Sequence, residues 1–245
     1  MPLPPSSCST CKRFFAATVV RYLLNVPAAF LFVMPAIEAQ TELETPDAAV
    51  SDQSWSKPRD LLSGEFQSCW KHFSCVDETP LASVWKRTVE ENSKLVELVC
   101  SGDPRGYLYT NDEFGDFDLT FEWRFVSDAN GNSGVLVFTQ DDQRLWPTSM
   151  QVQLHQPEAG SIFPGGEAVS GSTVRKEDLA NPVGRWNKCR IISRNRSIVV
   201  HVNGKKSGEV SDCKPARGRI ALQSEGSVVH FRRILIRTPE TTQDP

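Results

Sequence analysis

The sequence predicts an all-β protein, a sandwich or barrel built from short strands. From Leu61 onward, short apolar runs are separated by clusters of Gly, Asn, Asp and Pro. The runs recur about every 8–12 residues, a spacing that is typical of sandwiches and barrels. Helical periodicity is confined to 173–180, TVRKEDLA, where we expect at most a short helix. Together these three observations favour an all-β architecture.

The N-terminal segment has the composition of a secretory signal. Lys12, Arg13 and Arg21 precede an apolar run at 22–37, which an asparagine and two prolines interrupt. A membrane-spanning helix requires about 20 largely apolar residues, so this run is short for a span. We therefore expect a signal peptide that is cleaved after Ala39. The expected product is secreted or periplasmic, and it contacts a membrane only if the signal is retained as an anchor.

The remaining chain divides into a linker, one domain and a short tail. Residues 40–60 are acidic and rich in Ala, Ser and Pro, which is a linker composition. After the signal of residues 1–39, we predict a linker over 40–60, the β-sandwich over 61–238 and a tail over 239–245. From residue 40 onward the chain has 24 basic and 29 acidic residues, a net charge of −5, without a basic cluster. This charge pattern argues against a nucleic-acid binder.

The cysteines and histidines do not form a recognisable metal motif. Cys8 and Cys11 lie within the predicted signal, and five cysteines remain after it: Cys69, Cys75, Cys100, Cys189 and Cys213. Export would allow disulfides, and Cys69 with Cys75 or with Cys100 is a candidate pair. An odd number leaves at least one thiol free or paired between chains. The four histidines are scattered rather than spaced as zinc ligands, so we predict no metal site and no cofactor.

Nine segments have the alternation or the β-branched and aromatic content of strands, and turn residues flank them. They are 94–100, 106–110, 117–126, 133–140, 149–156, 186–193, 197–203, 218–223 and 228–237. Asn203-Gly204 favours a tight type I′ hairpin. The region 157–185 is a long insertion rich in Gly and Pro, and loops of this length are often functional or mobile.

Two of these segments alternate strictly, so each has one apolar and one polar face. In 117–126 the polar face carries Asp118, Thr120, Glu122 and Arg124. In 149–156 the apolar face carries Met150, Val152 and Leu154, and the polar face carries Ser149, Gln151, Gln153 and His155. We expect the apolar faces to form the core between two sheets, which leaves the polar faces free to line a groove.

Seven motifs follow one another along 61–237. They are LLSGEFQSCW (61–70), GYLYTNDEFGDFDLTFEWR (106–124), GNSGVLV (131–137), WPTSMQVQL (146–154), GRWNKCRII (184–192), HVNGK (201–205) and GRIALQSEGSVVHFRRILIR (218–237). In this order the chain resembles the secreted 3-keto-disaccharide hydrolases, also described as 3-keto-glucoside lyases or hydratases. The resemblance implies a concanavalin-like jelly-roll sandwich of two antiparallel sheets, and a carbohydrate as the partner, either a 3-keto-glycoside or a related glycan.

The resemblance also implies a reaction. A ketone at C3 of a glucoside makes the C2 proton acidic, so the glycosidic bond can break by β-elimination before water is added. Such chemistry requires a base for the C2 proton, a group that stabilises the enolate, and an acid for the leaving oxygen. Ordinary glycosidases instead flank an oxocarbenium-like centre with two carboxylates.

Four residues are candidates for these catalytic roles. Glu122 is a candidate base or acid, and Arg124 a candidate for stabilising the enolate or orienting Glu122. His155 is a candidate base because histidine is a common general base in enzymes, and Glu225 is a candidate assistant at the end of its strand. The alternative for Glu122 and Arg124 is a solvated, salt-bridged strand face, which is common in antiparallel sheets.

Five residues are candidates for binding the sugar: Asn132, Ser133, Gln151, Gln153 and Gln223. Asn132-Ser133 could instead serve turn formation. Gln151 stands where the family typically has Glu, and Ser161 where it tends to have an acid. The departures suggest an alternative function, a non-catalytic carbohydrate-binding sandwich, and a third hypothesis is a purely structural exported domain. Both sugar-site hypotheses require that Glu122, Arg124, Gln151, Gln153 and His155 converge in one concave groove.

Overall fold

The computed structural model describes residues 54–89 and 95–240, which form two antiparallel sheets packed face to face. The predicted two-sheet, all-β architecture is therefore confirmed. The predicted signal, residues 40–53 of the predicted linker, and residues 241–245 of the predicted tail lie outside the described residues.

The larger sheet has the strand order β12-β11-β10-β6-β14-β4-β3, with β1 paired to β14. Its strands are β1 (Arg59–Asp60), β3 (Trp85–Val89), β4 (Val96–Cys100), β6 (Phe117–Phe125), β10 (Asn187–Arg194), β11 (Ser197–Val202), β12 (Lys205–Val210) and β14 (Val229–Arg237). Because β1 pairs with β14 and Trp55 bridges to Pro239, residues 54–60 belong to the sandwich rather than to a linker.

The smaller sheet has the order β2-β5-β13-β7-β8-β9. Its strands are β2 (Trp70–Ser74), β5 (Gly106–Thr110), β7 (Gly134–Thr139), β8 (Ser149–Gln153), β9 (Ile162–Gly165) and β13 (Arg219–Ser224). Two one-turn helices, α1 (Phe66–Cys69) and α2 (Leu81–Val84), precede β2 and β3, and a 3-10 turn spans Gln156–Glu158. In the described part of the chain, no helix is long and apolar enough to span a membrane.

The core lies between the two sheets and is formed by alternate residues of each strand. From the larger sheet, Phe121 and Trp123 are no more than 1% exposed, and from the smaller sheet Val135 and Val152 are fully buried. Burying side chains of this size contributes about 1.5–3 kcal/mol each. The remaining residues of each strand therefore face outward, and it is these outward faces that can carry a site.

Three of the five cysteines, Cys100, Cys189 and Cys213, are buried in this core as thiols. Burial raises the pKa of Cys100 to about 11. The candidate disulfide of Cys69 with Cys75 or Cys100 is wrong, because all five described cysteines are free.

Five strands were not predicted from the sequence: β1, β2, β3, β9 and β12, which are short or mostly polar. In β3 only Trp85 is buried, and in β12 all residues before Val210 are Lys, Ser, Gly or Glu. The helix expected at 173–180 is absent. Val174 instead forms a bridge with Ile162, which extends the sheet beyond β9. The predicted Asn203-Gly204 hairpin is present, with positive φ at both residues.

Candidate functional site

The outward face of the smaller sheet carries two rows of side chains that cross its strands. The first row is Phe73, Tyr107, Gln223, Gly134 and Gln153. The second row is Lys71, Tyr109, Ala221, Leu136, Gln151 and Phe163. Each row takes one residue from neighbouring strands, so amides and aromatic rings that are far apart in sequence share one surface.

Gln223 lies at the centre of the first row with an unusual environment. It is 1% exposed, and neither its Oε1 nor its Nε2 has a hydrogen-bond partner among the described residues. Its Oε1 lies where a β-carbon at position 134 would stand, so only glycine permits this placement. Ser133 fixes the backbone of β13 at this point, because its Oγ donates to the Gln223 main-chain carbonyl over 2.8 Å. The neighbours of Gln223 thus fix the position of its amide group without forming hydrogen bonds to it.

Three further polar side chains meet at one end of this face, and we call them the polar mouth: Asn132, His155 and Glu225. Asn132 precedes β7, His155 follows β8 and Glu225 follows β13. Because neighbouring strands are antiparallel, the start of β7 and the ends of β8 and β13 lie at the same edge of the sheet. The strand pairing itself therefore brings the polar mouth together.

The fold raises the pKa of Glu225, the carboxyl group of the polar mouth. Burial raises the pKa of its carboxyl group, while the charges of Arg105 and His155 and a hydrogen bond from Asn132 act in the opposite direction. Its Oε2 and the Asn132 Oδ1 are buried and have no partner among the described residues. A carboxyl group in such a position is a stronger base once it ionises.

His155 is held at the mouth by a local turn. The Oε1 of Gln153 accepts hydrogen bonds from the N–H groups of Leu154 and His155, at 3.0 and 3.2 Å, which ends β8 earlier than predicted. The His155 Nδ1 lies 3.6 Å from Glu158 Oε2, and Arg175 donates to the other oxygen of Glu158 over 2.5 Å. Gln153 thus shapes the backbone around the imidazole.

Beside the amides lies an aromatic patch, formed by Phe73, Tyr107 and Tyr109 around Leu136 and Ala221. It is an apolar cluster separate from the core. The rings of Phe73 and Tyr107 are stacked with centroids 5.1 Å apart, and those of Tyr107 and Tyr109 are 5.7 Å apart. Burial and the nearby Asp142 carboxylate raise the pKa of Tyr107, which keeps its hydroxyl protonated. The outward face of an antiparallel sheet is ordinarily polar, so this patch calls for an explanation.

The prediction that Glu122 and Arg124 share a groove with the glutamines is wrong, so the convergence of five residues that both sugar-site hypotheses required is not met. Glu122 and Arg124 lie on the outward face of the larger sheet, and the core separates them from Gln151. Of the five, Gln151, Gln153 and His155 alone lie on or next to β8 of the smaller sheet, and any sugar site has to be built from residues of that sheet. Glu122 accepts hydrogen bonds from Arg232 over 2.6 Å and from Arg233 over 3.1 Å. The reason is topological: alternation identified a polar face in each strand but not that the two faces belong to different sheets.

Arg124 takes part in the same charged surface as Glu122. Its guanidinium lies over the ring of Trp186 at 4.4 Å, with Arg232 at 3.9 Å from the same ring, and it pairs with Glu97. Glu97 also contacts His230 Nδ1 at 3.0 Å. These contacts match the alternative interpretation, a salt-bridged strand face, and Trp186 serves packing there.

Two serines considered at the sequence level have structural roles. Ser133 is fully buried and its hydroxyl is used by Gln223, so it positions the site rather than lining it. Ser161 is 4% exposed, donates to the Lys176 carbonyl and accepts from the Lys176 N–H. The residues that sequence reasoning missed are Gly134, Arg105 and the aromatic patch. The alternation of GYLYT at 106–110 could have indicated the outward tyrosines.

A separate open pocket of about 630 Å³ is lined by Asp112–Asp116 with Arg217, Thr238 and Pro239, and it contains none of the predicted site residues. Within residues 54–89 and 95–240, no group of three or more His, Cys, Asp or Glu side chains is placed to hold a metal ion.

Comparison with known proteins gives one family and a set of similar folds. The sequence profile of a family described as 3-keto-alpha-glucoside-1,2-lyase-like domain matches residues 57–237. No match was found among curated proteins. Both rows and the polar mouth lie within the matched range.

Solved structures support the fold. A presumed glycosyl hydrolase from Parabacteroides distasonis is 22% identical over 75% of this chain and 100% of its own, with a TM-score of 0.56. A second from the same organism is 21% identical over 72% and 90% of the two chains, with a TM-score of 0.52. The carbohydrate-binding module CBM66 from Bacillus subtilis is 8% identical over 70% and 96%, with a TM-score of 0.51. At these identities the likeness shows the shared jelly-roll fold alone.

Proposed function

Because the chain belongs to the 3-keto-alpha-glucoside-1,2-lyase-like domain family, a carbohydrate-active family related to glycosyl hydrolases, we propose that it cleaves 3-keto-glycosides at the polar mouth. The reaction is an elimination that releases the aglycone, followed by addition of water. Glu225 and His155 act as the proton-transferring pair, and Gln223 and Asn132 bind the oxidised ring.

The observation that carries this proposal is a group of buried polar atoms that have no hydrogen-bond partner within the described part of the chain. They are Oε1 and Nε2 of Gln223, Oδ1 of Asn132 and Oε2 of Glu225. Leaving such groups unsatisfied costs about 1–3 kcal/mol each, and native structures rarely tolerate it without reason. Four such atoms on three neighbouring side chains are what a site preorganised for a polar ligand requires.

The elimination and the hydration each involve two proton transfers, one through Glu225 and one through His155. Ionised Glu225 takes the proton from C2, the C1=C2 double bond forms as the C1–O1 bond breaks, and His155 gives a proton to the departing oxygen. Gln223 Nε2 donates to the C3 carbonyl oxygen, where negative charge develops. In the second step the oxygen of water adds to C1, water's proton is taken up by His155, and C2 recovers a proton from Glu225. The raised pKa of Glu225 suits it to both directions of transfer.

The surroundings of the mouth match a pyranose ligand. A sugar ring presents hydroxyl groups at its edge and C–H groups on its faces. The amides of Gln151, Gln153 and Gln223 lie beside the aromatic patch on one surface. Ligand sites commonly combine aromatic side chains with a few placed polar groups. This surface therefore supports a carbohydrate as the ligand.

The test uses 3-keto-trehalose with the purified protein. We expect wild-type protein to release glucose and, in D₂O, to exchange the C2 proton as seen by proton NMR. The exchange reports the base separately from the departure of the leaving group. Glu225→Gln should lower both rates by at least about 100-fold, in line with the loss of a general base.

The matched control is Glu65→Gln, which changes an exposed glutamate before α1, near the end of β2 that lies opposite the polar mouth. It should retain the wild-type rates. A wild-type protein whose glucose release and C2 exchange do not exceed those of Glu225→Gln would overturn the elimination mechanism.

A second function, sugar binding without catalysis, is favoured by one observation. Gln151 and Ser161 provide no carboxylate, and the Ser161 hydroxyl is occupied by Lys176. Under this hypothesis, unoxidised disaccharides bind the same face, and calorimetry detects them while 3-keto-trehalose is left intact. Loss of that binding in a Gln223→Leu variant would assign it to the smaller sheet.

We further propose that the protein is exported. The basic residues and apolar run before Ala39 support this proposal. N-terminal sequencing of the protein from culture medium or periplasm should give a chain that begins at Gln40. An N-terminus that still includes the apolar run would instead favour a retained anchor.

A further inference from the structure

One hydroxyl group bridges the two loops that carry Asn132 and Glu225. The Oγ of Ser227 accepts the Asn132 N–H over 3.0 Å and donates to Asp128 Oδ2 over 2.8 Å. Ser227 is 7% exposed and lies in the turn that begins with Glu225. The Ser227 hydroxyl thus acts as an acceptor toward Asn132 and as a donor toward Asp128.

The loop that holds Asn132 is ordered around the same carboxylate. Asp128 Oδ1 accepts the Asn130 N–H over 2.9 Å, and the Asp128 carbonyl accepts the Gly131 N–H over 3.1 Å. Gly131 packs so closely on the Phe125 ring that a side chain would clash. The position of Asn132 is therefore set by its own loop and by Ser227 together.

The turn that holds Glu225 is anchored from the other side. The Gly226 N–H donates to the Gly102 carbonyl over 2.8 Å, and Ser224 Oγ donates to the Pro104 carbonyl over 2.9 Å. A β-carbon on Gly102 would lie 2.5 Å from the Ser227 backbone. This leaves the turn little freedom on that side, and Ser227 adds a side-chain link to Asn132 beyond the pairing of β7 with β13.

From these contacts we propose that Ser227, supported by Asp128, is a positioning residue that fixes Asn132 against Glu225. It touches neither the substrate nor the reacting atoms. The inference rests on the proposed function for its catalytic consequence. The geometric part, that Ser227 joins the backbone of Asn132 to the turn that carries Glu225, stands on these hydrogen bonds and can be measured without activity.

Loss of the Ser227 contact would affect the reaction through the pKa and the position of the groups around Glu225. Its carboxyl group is faced by Arg105, His155 and Asn132, and the hydrogen bond from Asn132 lowers its pKa against the effect of burial. When Asn132 is released, this opposing contribution is lost and the Glu225 pKa rises further. Small displacements of catalytic groups also cost rate steeply, up to about 100-fold per ångström.

The test compares Ser227→Ala with Ser227→Thr, which keeps the hydroxyl. In Ser227→Ala we expect amide exchange of the Asn132 N–H to accelerate at least about 10-fold, because its acceptor is gone. Carbon-13 NMR should show the Glu225 titration midpoint moving to higher pH. With 3-keto-trehalose, kcat should fall at least about 10-fold with KM little changed, and the acid limb of the pH profile should move up with the midpoint. Ser227→Thr should restore both NMR readouts and kcat.

The matched control is Ser101→Ala, which removes a hydrogen bond to the Asp103 carbonyl in the neighbouring loop without touching Asn132. It should behave as wild type in every readout. If Ser227→Ala folds poorly, the exposed Asp128→Ala variant should give the same changes in smaller measure. The positioning role is overturned if Ser227→Ala leaves both the Asn132 amide exchange and the Glu225 titration midpoint unchanged. Where Ser227→Ala folds poorly, the same outcome in Asp128→Ala overturns it. An inactive wild type with these NMR changes present would contradict the proposed function and leave the positioning role supported.

Discussion

The side-chain carbonyl of Gln223 occupies the space that a β-carbon on Gly134 would need. The two residues lie on neighbouring strands, β13 and β7, and face the same side of the sheet. Glycine at 134 thus allows the Gln223 amide to approach the neighbouring strand, where it is buried and has no hydrogen-bond partner among residues 54–89 and 95–240. The central polar group of the site is therefore positioned by the absence of a side chain on the next strand.

Replacing Gly134 by Ala should weaken ligand binding while largely preserving the fold. The new methyl group meets the far end of a flexible side chain, so Gln223 can rotate away at little cost in stability. We expect affinity for 3-keto-trehalose to fall at least about 10-fold, which corresponds to the loss of one buried amide contact. Calorimetry measures the affinity, and thermal unfolding measures the stability.

The control for this variant is Gly115→Ala, where the added methyl group would make only ordinary contact with the Ala216 carbonyl, at 3.6 Å. It should bind as wild type does. Equal affinity of Gly134→Ala and wild type would remove Gln223 from the binding site.

Sequence alone predicts the fold class and most strands because both depend on local patterns. Alternation in 117–126 and 149–156 correctly assigned which residues face the core. It could not decide that β6 and β8 belong to different sheets, because pairing is set by contacts between distant strands. This is why Gln151 and Gln153 were rightly expected to point outward, whereas Glu122 was expected in the wrong groove.

The missed residues have a common physical reason. Gly134 matters only through its cross-strand neighbour, and Tyr107 and Tyr109 matter because Ala221 and Leu136 stand beside them. Such relations depend on register, which a one-residue shift would invert. The carboxylate missing at 151 led to the hypothesis of lost catalysis, but the structure places Glu225 at the mouth, where burial raises its pKa.

Glu122→Gln should weaken the fold and leave catalysis unchanged. Glu122 accepts hydrogen bonds from Arg232 and Arg233 on the larger sheet, and its side chain is 15% exposed. Removing the charge leaves two guanidinium groups poorly compensated, for which we expect a loss of about 1–3 kcal/mol. Urea unfolding measures this loss. A drop in kcat at a temperature where the variant is fully folded would return Glu122 to the list of catalytic candidates.

Glu225 should make stability depend on pH in the acid range. Burial raises its folded-state pKa above the usual 4.5, so the folded state holds this proton more tightly than the unfolded state does. The contribution is present below about pH 4.5 and is lost as the pH rises through the folded-state pKa. Glu225→Gln should remove this part of the pH dependence, which denaturant unfolding at a series of pH values measures. Identical pH profiles for variant and wild type would mean that the Glu225 pKa is not raised.

Tyr109→Ala should weaken carbohydrate binding more than Tyr109→Phe does. Tyr109 is partly exposed at the edge of the aromatic patch, next to Tyr107 and in register with Ala221. A sugar bound at Gln151 and Gln223 would place its C–H groups against this ring, and an aromatic contact of this kind contributes about 0.5–1.5 kcal/mol. We therefore expect Ala to lower affinity by up to about 10-fold, and Phe, which keeps the ring, to change it about twofold.

The Arg219 guanidinium, 5.7 Å from the ring, is held by the main-chain carbonyls of Thr110 and Asn111, so the fold should persist in both variants. Calorimetry with an unoxidised disaccharide and with 3-keto-trehalose separates binding from turnover. If Tyr109→Ala binds both ligands as wild type does, the aromatic patch lies outside the site and the ligand is confined to the polar mouth.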